Sequence, residues 1–481
     1  MVNLKKYDIW NSSTLMTWLS YSTKSLSLLG VLPLILQKFS PGDVVLWYLF
    51  STLISLQSLA DFGFRQTFTR IISFAFGGAE NIDVIAYNKE DNSQKNNSCN
   101  NELLAAIIAS MIYIYKRLTI IAFFLMLIFG TWAMIKPISN TGSPTQAWIS
   151  WGIILFTTCI SFFLKIYTNF LEGLNKIALV RRVETFTSLG AIISSIAVLI
   201  WAPTLLNVVI TNQIWVLISS ARDYILCNKV EGGLFKSVNK NLAVDKYILK
   251  KIWAPAWRSG IGGVMSAGVT NIISVLYAQF GSTDSVASYL LAIRIITQIR
   301  EVSMAPFYSK LPLLAVYRVR NDVKSLIETI RKGMRLSHSV FFAGFILVAV
   351  FIDPLLQIIH SEVKFVPMQL WALLGWAFFI HRFGAMHIQV YLSTNHIISH
   401  IADGISGVLF IVSAFLLSSY LNVYAIPVSM LIGYGTFYIW YTSKYSYRSL
   451  GIKSFWQFEK KVSFPSAIGF TIFSIVTLFL Y

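Results

Sequence analysis

Charged residues are scarce in this sequence. Only 12% of its 481 residues are charged and 56% are hydrophobic, whereas a soluble domain has about 25% charged residues. Apolar runs recur along the whole chain, each close to the roughly 20 residues that cross a bilayer. The runs are continuously apolar rather than alternating, which argues against a transmembrane barrel. We therefore predict an all-α polytopic membrane protein with 12–14 transmembrane helices.

Cysteine and long loops are also lacking. The three cysteines, Cys99, Cys159 and Cys227, lie far apart without metal-ligand spacing, which argues against a disulfide framework and a zinc site. No Walker-type nucleotide loop and no nucleophile with a neighbouring base is present, so we expect no cofactor. Because no loop is long enough for a catalytic domain, we expect the function to lie among the membrane helices.

Thirteen runs are interpreted as membrane helices. The predicted spans are Thr14–Leu36, Val44–Phe64, Leu118–Ile135, Gln146–Phe170, Thr185–Ala202, Leu205–Leu226, Pro255–Phe280, Asp284–Phe307, Leu336–Ile352, Val366–Ile388, Ile397–Ser419, Asn422–Thr442 and Phe464–Tyr481. Before the third span, Glu80–Glu102 is predicted to be a flexible polar loop and Leu103–Arg117 an interfacial amphipathic helix.

The basic residues predict the orientation, because Lys- and Arg-rich loops stay in the cytoplasm. With the N-terminus inside, twenty-nine of the 39 Lys and Arg residues fall in cytoplasmic segments, and only Lys38, Lys136 and Lys364 fall in outer loops. This distribution accounts for most of the net charge of +18 without a nucleic-acid partner.

A weak internal repeat is present. The pattern Phe39-x-x-x-Asp43-x-Val45-x-x-Tyr48-Leu49 recurs 241 residues later as Phe280-x-x-x-Asp284-x-Val286-x-x-Tyr289-Leu290. Both copies lie at the outer turn between the first two helices of a half, and both halves start inside. Parallel repeats of this kind are typical of transporters with a cargo site between the halves.

The repeat predicts two bundles around a central cavity. We expect an N-terminal bundle of six helices over residues 1–228 and a cytoplasmic linker over 229–254. A C-terminal bundle of six helices follows over 255–442, and a basic loop with an extra helix over 443–481.

Two cations are predicted near the bilayer centre. Lys24 and Arg294 each lie about ten residues into a span, roughly 15 Å deep at 1.5 Å per residue. A charge there costs at least about 2.5–3.5 kcal/mol, so it should face protein or water. Ser and Thr on the same faces are adequately explained by hydrogen bonds between helices, but such bonds do not need a cation. We therefore predict that Lys24 and Arg294 bind cargo.

Other charged side chains lie towards the cytoplasmic helix ends. Arg65, Arg258 and Arg300 either extend to the interface or line a cytoplasmic vestibule. The candidates for ion coupling or gating are Asp61, Glu301, His381, Arg382 and Asp403. For Arg382 and Asp403 we favour a bracing ion pair, with a histidine proton relay as the alternative.

Two short motifs resemble those of a known family. Leu59-Ala-Asp61-Phe62-Gly63-Phe64, followed by Arg70 and Gly77-Gly78, resembles the end of the second helix in O-antigen and polysaccharide flippases. Glu172-Gly173-Leu174-Asn175-Lys176 is similar to that family's turn after its fourth helix. The resemblance places the chain in the multidrug/oligosaccharidyl-lipid/polysaccharide exporter superfamily, in a bacterial inner membrane.

The resemblance implies a Wzx-type flippase for undecaprenyl-pyrophosphate-linked oligosaccharide, used in lipopolysaccharide or other surface polysaccharide biosynthesis. The diphosphate would bind Lys24 and Arg294, with Arg65, Arg258 and Arg300 recruiting it from the cytoplasm, and the two halves would alternate access. Partners would include the bilayer and the polysaccharide polymerase and chain-length proteins. Two alternatives are a cation-coupled multidrug exporter of the same fold and a membrane polysaccharide polymerase.

Overall fold

The protein is helical throughout the part of the chain that its structure describes. The computed structural model describes residues 10, 13–61, 63–77, 99–238, 244–308, 310–319, 322–394 and 396–480, and these contain no β-strand. The α-helices are α1 Ser13–Lys38, α2 Pro41–Leu59, α3 Phe64–Phe76, α4 Asn101–Leu125, α5 Thr131–Ser139, α6 Pro144–Gly173, α7 Ile177–Trp201, α8 Leu205–Lys229, α9 Leu234–Val238, α10 Lys246–Gly263, α11 Val269–Phe280, α12 Thr283–Tyr308, α13 Leu311–Val319, α14 Val323–Ile358, α15 Met368–Leu392, α16 Ser399–Leu421, α17 Ala425–Gly433, α18 Ile439–Leu450, α19 Phe455–Glu459 and α20 Phe464–Leu480.

The all-α polytopic membrane fold is confirmed. Each of the thirteen predicted spans overlaps helical residues. Within the described residues, five stretches are long and apolar enough by themselves to cross a membrane: Asn101–Ser139, Pro144–Gly173, Ile177–Trp201, Val323–Ile358 and Ser399–Leu450. The last of these contains two predicted spans.

Polar caps begin several helices where the sequence changes from loop to apolar run. The side chain of Asn100 accepts a hydrogen bond from the Leu103 N–H at 3.0 Å, and Thr204 caps α8. Asp322 caps α14 by accepting from the Ser325 N–H at 3.1 Å. Such caps satisfy N–H groups that have no partner within the helix, so these helix starts are encoded locally.

The prediction that Leu103–Arg117 forms a separate interfacial helix is wrong. Asn101–Ser139 is one continuous helix, containing a π-helical turn at Met126–Gly130. No helix-breaking residue separates Arg117 from the apolar run, and the face containing Leu104 and Ile108 is buried in the protein core. The amphipathic pattern therefore reflects packing against protein. Most of the predicted loop Glu80–Glu102 lies outside the described residues.

The second membrane helix ends earlier than predicted. α2 stops at Leu59, and Gly63 adopts a left-handed φ of 76° before α3 begins at Phe64. A residue with a Cβ is disfavoured in this conformation, so Gly63 permits the change of direction. α3 then ends before Gly77, where the glycine pair predicts a break; Gly78 lies outside the described residues.

The chain divides into two compact units. Unit 1 comprises Met1–Phe39 and Leu49–Gly260, and unit 2 comprises Ser40–Tyr48 and Ile261–Tyr481. α2 and α10 therefore each contribute residues to both units. In unit 1, a core cluster centred on Phe68, Tyr115 and Phe162 packs α3, α4 and α6 together. In unit 2, a cluster that includes Phe307 and Phe458 packs α12, α14, α15 and α18 against α19.

The two copies of the predicted repeat have similar turns. Ser40 Oγ accepts from the Asp43 N–H at 3.3 Å, and Ser282 Oγ accepts from the Ser285 N–H at 3.4 Å. The capping serines are 242 residues apart, whereas Asp43 and Asp284 are 241 apart. Both copies of the repeat thus have a serine-capped turn at the same point, but the capping serine is shifted by one residue relative to the aspartate. The parallel repeat stays a prediction.

Candidate functional site

Asp61 and Arg65 are held by unit 1 itself. The Arg65 N–H donates to Asp61 Oδ2 at 3.2 Å, and the Tyr115 hydroxyl donates to Asp61 Oδ1. Asn169 in turn donates to the Tyr115 hydroxyl oxygen at 2.7 Å. Asp61 is therefore bound into the turn between α2 and α3, with Tyr115 of α4 and Asn169 of α6 supporting it.

The guanidinium of Arg65 is neutralised by a glutamate 107 residues away. Its Nη2 lies 2.6 Å from Glu172 Oε1 and its Nε donates to Glu172 Oε2 at 3.2 Å. Arg181 contacts the same Oε1 at 3.2 Å and Glu184 at 2.8 Å. Arg65, Glu172, Arg181 and Glu184 form what we call the unit 1 charge network. Two-point pairing of this kind fixes both side chains.

The network joins the two motifs on which the family resemblance rests. Ser73 Oγ donates to the Gly173 carbonyl at 2.7 Å. A Cβ at Gly173 would lie 2.5 Å from Cγ2 of Ile72, so glycine permits the close approach of α6 and α3. Asn175 has a φ of 59° in the following turn. The sequence did not predict that these motifs touch.

Four of the predicted residues gather in unit 2. Tyr308 lies within electrostatic reach of Arg300, Arg382 and Asp403. His381 packs between the rings of Tyr434 and Tyr438, with centroid distances of 4.7 and 5.6 Å. We call Arg300, His381, Arg382 and Asp403 the unit 2 polar centre. It joins α12, α15 and α16.

Asp403 is a buried carboxylate that binds a tyrosine. It is 5% exposed and is hydrogen-bonded by the Tyr438 side chain. Its Oδ1 has no hydrogen-bond partner among the described residues. Asp403 also faces Gly262, since a Cβ there would lie 3.5 Å from Asp403 Oδ2.

The predicted Arg382–Asp403 ion pair is absent from the described structure. Arg382 Nη2 instead donates to the Ser337 carbonyl at 2.9 Å and the Ser303 carbonyl at 3.4 Å. Its guanidinium also lies 4.5 Å from the centre of the Phe341 ring. Arg382 points towards α14 and α12, whereas Asp403 binds Tyr438, the residue just before α18.

The remaining predicted residues do not join either group. Arg258 and Arg294 are exposed, with Arg258 lying 5.8 Å from the ring centre of its neighbour Trp257. The side chain of Glu301 is 61% exposed and lies 3.9 Å from Arg300. Lys24 lies within α1, and its side chain is outside the described residues.

A buried Glu–His pair in unit 2 was not among the predicted site residues. Glu459, fully buried in α19, accepts from Tyr447 at 2.7 Å and from Ser463 at 2.5 Å. His387 Nε2 lies 3.3 Å from Glu459 Oε1, and His387 Nδ1 is 2.9 Å from Ser446 Oγ. Burial raises the pKa of Glu459, but His387 and the two hydroxyl donors more than offset this, so the pKa lies below its ordinary value.

The sequence offered only a weak signal for this pair. Glu459 lies in a basic loop between predicted spans, where a solvated carboxylate is the expected state. The aromatic residues Phe455, Trp456 and Phe458 just before it could have indicated that the loop docks on protein.

No protein-family model matches this sequence, and no curated protein matches it. Solved structures of the same fold do exist. The chain is similar to a multidrug resistance MATE family transporter of the MOP superfamily in its inward-facing conformation, with a TM-score of 0.65, 12% identity, and coverage of 91% of this chain and 94% of that one. For an outward-facing conformation of such a transporter the TM-score is 0.60, with the same identity and coverage.

A MOP superfamily transporter from Pyrococcus furiosus is also similar. Its TM-score is 0.60 at 12% identity, covering 93% of this chain and 98% of that one, and the reversed polarity of that transporter's binding pocket suggests a different function for it. Identities this low establish the fold alone. The chain has the fold of MATE-type transporters of the MOP superfamily.

Proposed function

We propose that the protein is a flippase that moves a lipid-linked oligosaccharide, carried on a polyprenyl diphosphate, across the inner membrane. The observation that carries this proposal is Arg294. It lies near the middle of the 26-residue helix α12 and is exposed, and no carboxylate among the described residues pairs with it. An unpaired arginine at this depth is costly unless an anion or water receives it.

Several other basic residues of the described chain are already paired with carboxylates. Carboxylates of the described residues that pair with Lys or Arg are Glu172, Glu184, Asp223, Glu231 and Glu328. Arg294 and Arg258 have no such partner, and Arg300 reaches only the exposed Glu301 at 3.9 Å. Arg294 of α12 therefore has no carboxylate partner among the described residues, and a diphosphate cargo would supply the anion that it lacks.

The proposed cargo ligands are Lys24, Arg65, Arg258, Arg294 and Arg300. Arg300 is six residues from Arg294, about 9 Å along the helix, and cargo would contact the two arginines at different stages of transport. Arg65 would become available to cargo only when its contact with Glu172 opens. The similar multidrug transporter has inward-facing and outward-facing conformations, which supports alternating access for this chain.

The proposal is tested by reversing the charge of Arg294. We expect Arg294→Glu to lower the rate at which proteoliposomes flip a fluorescent polyprenyl-diphosphate oligosaccharide by about 10- to 100-fold, the equivalent of losing one charge-assisted hydrogen bond. Arg294→Lys should retain most of the rate. Exposed Arg335 of α14 provides the control, since Arg335→Glu changes the net charge equally and should leave the rate unchanged.

Normal flipping by correctly folded Arg294→Glu protein would remove the basis for the proposed site. Failure of the wild-type protein to flip any polyprenyl-diphosphate oligosaccharide would instead reject the proposed cargo.

A second candidate function is a cation-coupled multidrug exporter, favoured by Asp403. A buried carboxylate without a basic partner and with one oxygen unsatisfied among the described residues is suited to binding a proton or metal cation. Efflux of a cationic dye from cells expressing the wild-type protein, lost in Asp403→Asn, would favour the exporter. Absence of dye efflux would favour the flippase.

A further inference from the structure

A buried cluster of hydrogen-bond donors lies inside unit 2, between α14 and α15. Arg382 is completely buried and His338 is 1% exposed, with Ser337 beside it at 0%. His338 packs against Phe379 at 4.9 Å and Phe383 at 6.4 Å, the residues that flank Arg382 on α15. Arg382 bonds the Ser337 carbonyl. The side chains of Arg382, His338 and Ser337 therefore lie close together in the interface between α14 and α15.

Several polar atoms of this cluster are unsatisfied. Among the described residues, Arg382 Nε and Nη1, both ring nitrogens of His338 and Ser337 Oγ have no hydrogen-bond partner. Each such buried atom costs about 1–3 kcal/mol, and more when it is charged. A native protein rarely leaves so many groups unsatisfied in one place.

The charge of Arg382 is also uncompensated. No ion pair joins it to a carboxylate of the described residues, and the ionisable groups that act on it are Tyr308 and the cation Arg300. The Phe341 ring offers a cation–π contact, which offsets only part of the cost of burying a guanidinium. The neighbouring His387 is paired with Glu459, so the uncompensated charge at this cluster is that of Arg382.

We propose that this cluster binds a small inorganic monovalent anion, such as chloride. Every unsatisfied group except one histidine nitrogen can donate a hydrogen bond. An anion beside Arg382 would accept from the donors on one edge of the guanidinium and from neighbouring His338 or Ser337, and it would compensate the charge of Arg382. A water molecule would accept hydrogen bonds from the donors but would leave the positive charge of Arg382 uncompensated. A metal cation would be repelled by Arg382. The site is closed by its burial, so a diphosphate or a sugar does not fit.

The test is anion-dependent thermal stability of the full-length protein in detergent. Sodium chloride is titrated against sodium gluconate at constant ionic strength, and the unfolding temperature is followed by tryptophan fluorescence. We expect a saturable rise of a few degrees with chloride, and the same with bromide, because a ligand that binds only the folded state stabilises it.

Two variants locate the effect. Arg382→Gln removes the charge, and His338→Phe replaces the imidazole with an apolar ring that suits the Phe379–Phe383 environment. Each should shift the midpoint chloride concentration by at least about tenfold, equivalent to one charge-assisted hydrogen bond. If Arg382→Gln fails to fold, His338→Phe still tests the site.

Arg318 provides the matched control. It also lies in unit 2, but its guanidinium is satisfied by Ser393 Oγ, the Ser449 carbonyl and hydroxyl, and the Val390 carbonyl. Arg318→Gln should lower stability equally in chloride and gluconate and keep the chloride response. Equal wild-type stability in both salts would overturn the proposal, as would a chloride response that persists in both Arg382→Gln and His338→Phe. Anomalous bromide scattering at Arg382 would confirm it.

Discussion

Single side chains in unit 1 are held by contacts between residues far apart in the chain. Glu172 binds both Arg65 and Arg181, and the adjacent Gly173 lies against Ile72. The ion-pair partner of Arg65 is not apparent from the sequence, but in the structure Arg65 is paired with Glu172. Because Glu172 and Gly173 are adjacent, the salt bridge and the helix contact depend on each other.

A methyl group at Gly173 should disrupt this contact. In Gly173→Ala, the new Cβ would lie 2.5 Å from Ile72 Cγ2 and 3.2 Å from the Thr69 carbonyl. Overpacking of this kind typically costs about 1–3 kcal/mol. We expect a lower unfolding temperature in detergent, measured by tryptophan fluorescence.

Gly152 in the same helix is the matched control, because a Cβ there meets nothing within 4 Å. Gly152→Ala should be neutral or slightly stabilising, since alanine favours helix more than glycine does. Ile72→Ala should partly rescue Gly173→Ala. Equal stability of the two alanine variants would contradict a close contact at Gly173.

At the scale of elements, the short helix α19 links the end of one membrane helix to the start of the last. Gly451, with a φ of 67°, ends α18 in a left-handed conformation. The chain then places Phe458 and Glu459 in the unit 2 core. The loop that the sequence predicts as basic and solvated is thus anchored through Glu459 to α15 and α18.

Removing the Glu459 charge should destabilise unit 2. Glu459→Gln leaves His387 without its carboxylate, and breaking a buried pair costs about 3–5 kcal/mol. The pKa of Glu459 lies below its ordinary value, so its contribution is complete above the ordinary glutamate pKa and is lost as the pH falls through the folded-state pKa. Wild type and Glu459→Gln should therefore differ at pH 7 and converge in acid.

Thermal unfolding at pH 7 and at successively lower pH, to below the folded-state pKa of Glu459, measures this difference. Glu362 lies in an exposed part of the loop before α15, so Glu362→Gln should match wild type at pH 7. An unfolding temperature of Glu459→Gln equal to that of wild type at pH 7 would show that the buried pair does not stabilise the protein.

For the whole molecule, the distribution of basic residues predicts which side each loop faces. Gly142 lies in a predicted outer turn, where a Cβ has nothing within 4 Å. Lys236 lies in α9, in the predicted cytoplasmic linker. Cys159 and Cys227 are buried, so replacing Cys99 by serine leaves a suitable background for labelling.

We expect Gly142→Cys to react with a membrane-impermeant maleimide in intact spheroplasts, and Lys236→Cys to react only after permeabilisation. The physical reason is that positive loops are retained in the cytoplasm. The reverse labelling pattern would invert the topology, and reaction of both sites in intact spheroplasts would reject the assigned spans.

Part of the candidate site was predictable from residue type and position. Arg300, His381, Arg382 and Asp403 are polar residues in apolar helices, which marks them individually, and the structure brings them together. Their partners were not predictable, because a long side chain such as Arg382 reaches whichever neighbouring helix offers acceptors. The same holds for Glu459, whose loop position gave little sign of burial.

The sequence by itself determined the membrane class and the approximate positions of the membrane helices, because hydrophobic length acts over a few neighbouring residues. Only the tertiary structure decided which charges are neutralised. Arg65 and Glu172 are 107 residues apart, and Arg382 binds backbone carbonyls rather than Asp403. Such pairings depend on how distant helices pack, and no local pattern encodes that packing.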